Sequence, residues 1–84
     1  MRPPVNRSDM KDFYRRLAQA FYHTDMSQED FAERIGKSRK TVDLYLTGRS
    51  TPDAQVLKRI CEVLDVSADW LVFGDERRSP KWWI

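Results

Sequence analysis

Between Ser27 and Tyr45 the chain reads as two short helices that must fold against one another. Ser27 is a capping residue, Asp30 three positions on approximates the acidic half of a capping box, and Met26 and Phe31 hold the two positions of a hydrophobic staple. The first helix runs to about Ile35. Gly36 then offers the positive φ that a tight turn needs, and Ser38 caps a second helix ending near Thr47, just before another glycine, Gly48. Two helices crossing steeply over so short a turn need a small residue where their backbones approach, and Ala32 supplies it. Phe31, Ile35, Val42, Tyr45 and Leu46 provide the facing apolar surfaces. The spacing predicts helices over 27–35 and 38–47.

The flanks follow the same logic. From Ser8, a cap, to about His23, the residues Met10, Phe13, Tyr14, Leu17, Ala18 and Phe21 recur at helical period, with Asp9 placed where the helix dipole favours an acid. Thr51-Pro52-Asp53 presents a capping hydroxyl, a proline suited to the first helical position and an acid, which predicts a helix over 52–64 with Val56, Leu57, Ile60, Cys61 and Leu64 facing inward. Val66-Ser67-Ala68-Asp69-Trp70-Leu71 repeats the cap and staple for a helix over 67–73, closing at Gly74. No stretch alternates at strand period. With 84 residues there is room for one core, burying roughly 60 to 65% of the unfolded surface, so the expectation is a single all-α domain of five helices. Residues 1–7, with two prolines, form a flexible N-terminal arm in this reading, and its Arg2 and Arg7 either reach into a minor groove or are inert.

Residues 75–84 are a separate matter. Asp75 to Pro80 is charged and breaks structure, yet Trp82, Trp83 and Ile84 turn apolar again. Three fates stay open for them: packing back on their own domain, burial in a dimer partner, or disorder. Two adjacent tryptophans left in water would be unusual, and a contribution to dimerisation is the working hypothesis.

Several functions drop out. One cysteine, Cys61, excludes a disulfide framework and a multi-cysteine metal site, and it belongs to the apolar face of its helix. His23 has no second ligand nearby, and no nucleophile, carboxylate pair or phosphate-cradling glycine loop accompanies it. The chain is therefore not expected to be an enzyme or to carry a metal, cofactor or small-molecule ligand. Without a secretory leader or a long apolar run, the expected compartment is the cytoplasm, with no membrane partner. Trp70 reads as core.

Charge gives the positive clue. Fifteen basic and 13 acidic residues leave a net charge of only +2, so any nucleic-acid partner requires local concentration. Between residues 37 and 49 that concentration exists: Lys37, Arg39, Lys40 and Arg49 stand against Asp43 alone, a local balance of +3. Arg39 and Lys40 open the 38–47 helix, where a cation costs about 0.3 to 1 kcal/mol against the helix dipole. The other predicted helices carry an acid at that end. Duplex DNA would offset the cost, because phosphates and guanine acceptors are drawn to the same cations. On this reading Arg39, Lys40, Asp43 and Leu44 read bases: arginine pairs with guanine, Asp43 accepts from cytosine N4, and Leu44 meets a thymine methyl. Gln28, Lys37, Ser38, Thr47, Arg49, Ser50 and Thr51 are placed to touch phosphates and set register.

Gln28, Ala32, Gly36, Val42 and Tyr45, the exit Gly48-Arg49-Ser50-Thr51-Pro52 and the stretch Leu64 to Gly74 together resemble the phage repressor and Cro-like (Xre-type) helix-turn-helix family, over about residues 9–74. Lys37 stands where the family carries an apolar residue, and Asp65 where it carries Gly or Asn. The resemblance implies a compact five-helix, lambda-repressor-like domain. It also implies a homodimer on a pseudo-palindromic operator in double-stranded DNA, and repression of transcription; if these 84 residues are the full protein, regulated self-cleavage is not expected. A protein-interaction module of antirepressor or antitoxin type, keeping the fold without reading DNA, is the second expectation.

Overall fold

The computed structural model describes residues 7–83, with side chains from residue 11 onward. Five α-helices follow in order, α1 (Arg7–His23), α2 (Gln28–Ile35), α3 (Arg39–Leu46), α4 (Ala54–Leu64) and α5 (Ala68–Phe73), then a 3₁₀ turn at Glu76–Arg78. The described residues contain no strand. The fold class and the number of helices are those the periodicity predicts. Residues 1–6 of the expected arm, and Ile84, lie outside the described residues, whereas Arg7 belongs to α1.

The core forms where α1 meets α3 and α5 while α2 meets α3 and α4. It is built from Phe13, Leu17, Ala20 and Phe21 of α1, Phe31, Ala32 and Ile35 of α2, Val42 and Tyr45 of α3, Val56, Ile60 and Leu64 of α4, and Trp70 and Leu71 of α5. In α1 the buried alanine is Ala20, whereas Ala18, expected inside, is only half-buried. The stripe through Phe13, Leu17 and Ala20 is centred slightly differently from the expected one. Cys61 is half-buried against the same cluster, and burial, helped by the neighbouring charge of Glu62, pushes its thiol above the usual range. Among the described residues no helix is long and apolar enough to cross a membrane.

Two caps differ in detail from expectation. The Ser27 hydroxyl accepts from the Asp30 amide at 3.0 Å, but the Asp30 carboxylate turns to Arg34 at 3.2 Å, so only one arm of the capping box forms. At α4 the cap is Asp53, whose carboxylate accepts from the Val56 amide at 2.9 Å, and Pro52 is buried one position before it. The helix therefore starts at Ala54 and not at Pro52. A carboxylate satisfies the free amides and the helix dipole together, which a threonine hydroxyl cannot. Thr51 is thereby released for another contact.

The tail is ordered against its own domain. Asp75 caps the 3₁₀ turn, accepting from the Arg77 amide, and its carboxylate is gripped by the Arg77 guanidinium, which holds the carboxyl below the ordinary carboxylate range. The segment expected to break structure is thus a turn that redirects the chain. Trp82 stacks on His23, with ring centres 4.4 Å apart, and Trp82 and Trp83 both meet Trp70 edge-on at 5.8 and 5.2 Å. The Arg15 guanidinium lies 5.5 Å from the Trp83 ring centre. His23, which the sequence leaves without a role, is one side of this clamp.

Candidate nucleic-acid interface

The angle between α2 and α3 is set at Gly36, in the left-handed region at φ 73°. Its amide returns to the carbonyls of Ala32 and Glu33, and the Lys37 amide reaches Ala32 at 2.9 Å, closing the end of α2. Nothing lies within 4 Å of where a Cβ would sit, so conformation and not crowding demands glycine here. Ser38 then caps α3, its hydroxyl oxygen accepting from the Thr41 amide at 3.1 Å. Ala32, 3% exposed, sits under the crossing as expected.

Val42 and Tyr45 turn α3 toward the core, with Leu46 packed at its edge. Burial, with a smaller contribution from Asp53, raises the Tyr45 phenol, which stays neutral beneath the helix. The opposite stripe carries Arg39, Lys40, Asp43, Leu44 and Thr47 at spacings that keep them on one side. Arg39, Lys40, Asp43 and Thr47 are exposed, and Leu44 is half-buried. Lys37, Arg39, Lys40 and Arg49 have no ion-pair partner among the described residues, although Arg34, Arg77 and Arg78 each have one. Nor does α3 carry an acid in its first turn, whereas α2 and α5 do and α4 has Asp53 as its cap. The result is an uncompensated cationic tip.

The residues expected at phosphates surround that tip, but they are not equally ready to donate. Gln28, half-buried, is the first residue of α2, and Lys37 is exposed in the turn. Ser38 shares its hydroxyl with Thr41 Oγ1 at 3.0 Å. Thr47 donates back to the carbonyls of Asp43 and Leu44 at 2.9 and 3.3 Å, so its proton is directed into its own helix and away from any phosphate. The amides of Arg49 and Ser50 both go to the Leu44 carbonyl, at 2.9 and 3.2 Å, so their side chains, Arg49 exposed and Ser50 half-buried, are the groups left to meet a phosphate. The Thr51 hydroxyl meets the Tyr14 hydroxyl at 2.6 Å. The sequence reading assigned Tyr14 to the apolar face and missed this contact. A tyrosine at a half-buried position, where phenylalanine would pack as well, was the available signal.

A family model described as helix-turn-helix matches residues 24–71, from the turn after α1 into α5. The chain belongs to the Xre-type helix-turn-helix family. It is 32% identical over 54 residues to the uncharacterised HTH-type transcriptional regulator YqaE of Bacillus subtilis, covering 64% of this chain and 47% of that protein. It is 33% identical over 66 residues to the HTH-type transcriptional regulators for the conjugative elements R391 of Providencia rettgeri and SXT of Vibrio cholerae, covering 79% of this chain and 30% of each relative. The chain thus spans less than half the length of these relatives. No solved structure matches it. In this Xre-type chain the matched stretch contains every residue of the cationic tip, while all of α1 and the tryptophan tail fall outside it.

Proposed function

We propose that this chain is a sequence-specific DNA-binding transcriptional regulator of the phage or prophage repressor type, placing α3 in the major groove and binding a pseudo-palindromic operator as a dimer. The observation that carries the reading is the tip of α3, where Arg39 and Lys40 are exposed, unpaired among the described residues and set against their own helix dipole. Arg39 and Lys40 face base edges and phosphates together, Asp43 and Leu44 extend the reading stripe, and Lys37, Arg49, Ser50 and Thr51 fix register on the backbone. The relatives named as regulators of conjugative elements support a role in controlling genes of a mobile element.

The test is selection of bound duplexes from a random pool, followed by titration of the winning site with the protein and with Arg39→Ala/Lys40→Ala. The expected result is an enriched site with two-fold symmetry. The variant should melt within a few degrees of the parent and lose about 100-fold or more in affinity for that site, as for two base or phosphate contacts of about 1 to 3 kcal/mol each. A pool that yields no enriched sequence, or a variant that binds like the parent, overturns the reading in favour of a module that meets proteins instead.

A further inference from the structure

The loop leaving α3 is tied to α1 by a side chain outside the matched family stretch. Its backbone is fastened at one end by the Arg49 and Ser50 amides on the Leu44 carbonyl, and at the other by Asp53 capping α4. Between those points lies Tyr14. Its ring lies against Gly48, at φ 76°, so closely that a Cβ there would sit 3.1 Å from the ring, and its hydroxyl holds Thr51 Oγ1 at 2.6 Å. Among the described residues this is the one side-chain hydrogen bond from another helix to the 48–52 loop.

We propose that Tyr14 is a positioning residue for DNA binding: ring and hydroxyl together hold the Gly48–Thr51 loop at a fixed height beside α3, so that Arg49, Ser50 and Thr51 meet the phosphate backbone in register with the bases under Arg39 and Lys40. The inference rests on the reading of α3 as the duplex reader. Of the two hydroxyls the phenol is the better donor. With Tyr14 donating, the Thr51 proton is left for a phosphate oxygen, and two hydrogen bonds in series polarise one another. An arriving phosphate favours that arrangement, because Thr51 is exposed and Tyr14 half-buried, so the Thr51 hydroxyl is the more accessible of the two.

Four proteins separate this role from simple packing: Tyr14→Phe, which keeps the ring on Gly48, Thr51→Val, Thr51→Ser, and the double variant Tyr14→Phe/Thr51→Val. On the duplex selected by the parent, Tyr14→Phe should bind about three- to tenfold more weakly, as for one hydrogen bond, with its melting temperature and base preferences nearly unchanged. The double variant should be no weaker than Thr51→Val alone, and Thr51→Ser should bind like the parent. In the free protein, amide hydrogen exchange at Arg49 and Ser50 should quicken in Tyr14→Phe while that of α2 stays the same. Parental affinity in Tyr14→Phe, losses that add in the double variant, or unchanged exchange at Arg49 and Ser50 each overturn the positioning role. Failure of the parent to select any duplex is a different result: it removes the DNA reading, while the exchange measurement still decides whether Tyr14 holds the loop.

Discussion

Asp65 closes α4 in the left-handed region, at φ 55°, where the chain turns toward α5. An L-residue with a Cβ is strained there by about 1 to 2 kcal/mol, somewhat less for aspartate, and glycine would relieve the strain while losing about 0.5 to 1 kcal/mol of extra chain entropy on folding. Asp65→Gly should therefore raise stability by about 0.5 kcal/mol and the melting temperature by about 2 to 4 °C, measured by thermal unfolding. A lower melting temperature would mean that the aspartate side chain contributes more than its backbone costs. The position was legible in the sequence as a departure from the family's Gly or Asn. Gly36 was legible for the same reason, since a required backbone sign leaves a residue-type signature. The Tyr14 to Thr51 contact was not: a tyrosine among the apolar positions of α1 signals that its hydroxyl has a partner, but that partner lies 37 positions away and nothing local points to it.

Helices α2 and α3 were legible almost to the residue because each begins on a serine and each carries one narrow apolar stripe, so cap and period agree. Local rules failed where a better local partner won: Asp53 displaced Thr51 and Pro52 as the start of α4, and Arg34 took Asp30 from the capping box. The tail was unreadable for a different reason. Its apolar residues are too few to show a period, and their partners, His23, Arg15 and Trp70, lie on α1 and α5. In the structure the 3₁₀ turn swings Trp82 and Trp83 onto those helices, covering Trp70, which is 1% exposed. Deleting residues 80–84 should therefore uncover the outer edge of the core. Two half-buried indoles and their aromatic contacts contribute about 2 to 3 kcal/mol, so the truncated protein should melt about 10 to 20 °C lower. Sedimentation at matched concentration separates this from a role between copies. A lower melting temperature with unchanged mass marks the tail as an internal clamp, whereas a fall in mass places Trp82 and Trp83 at the dimer contact as well.

One copy presents one cationic tip, on a body of about 39 × 27 × 19 Å. Successive major grooves on one face of a duplex are about 34 Å apart, a spacing that two such bodies side by side can span. Since the net charge is +2 and the 37–49 stretch alone carries +3, the rest of the surface is close to neutral and slightly acidic, and it adds little long-range attraction. Salt dependence should then come from the few cations at the tip. If Lys37, Lys40 and Arg49 of two copies each neutralise a phosphate, log K against log salt should fall with a slope of about −5, measured by titrating the selected duplex between 50 and 200 mM salt. Lys37→Ala is the informative comparison. Each phosphate contact contributes about 0.9 to the slope, so losing this lysine should flatten it by about 2 if two copies bind together and by about 1 if one binds alone. The change in slope therefore counts the copies on the DNA without reference to the protein's mass in free solution. A slope near zero in the parent would show that phosphates are not what the exposed cations meet.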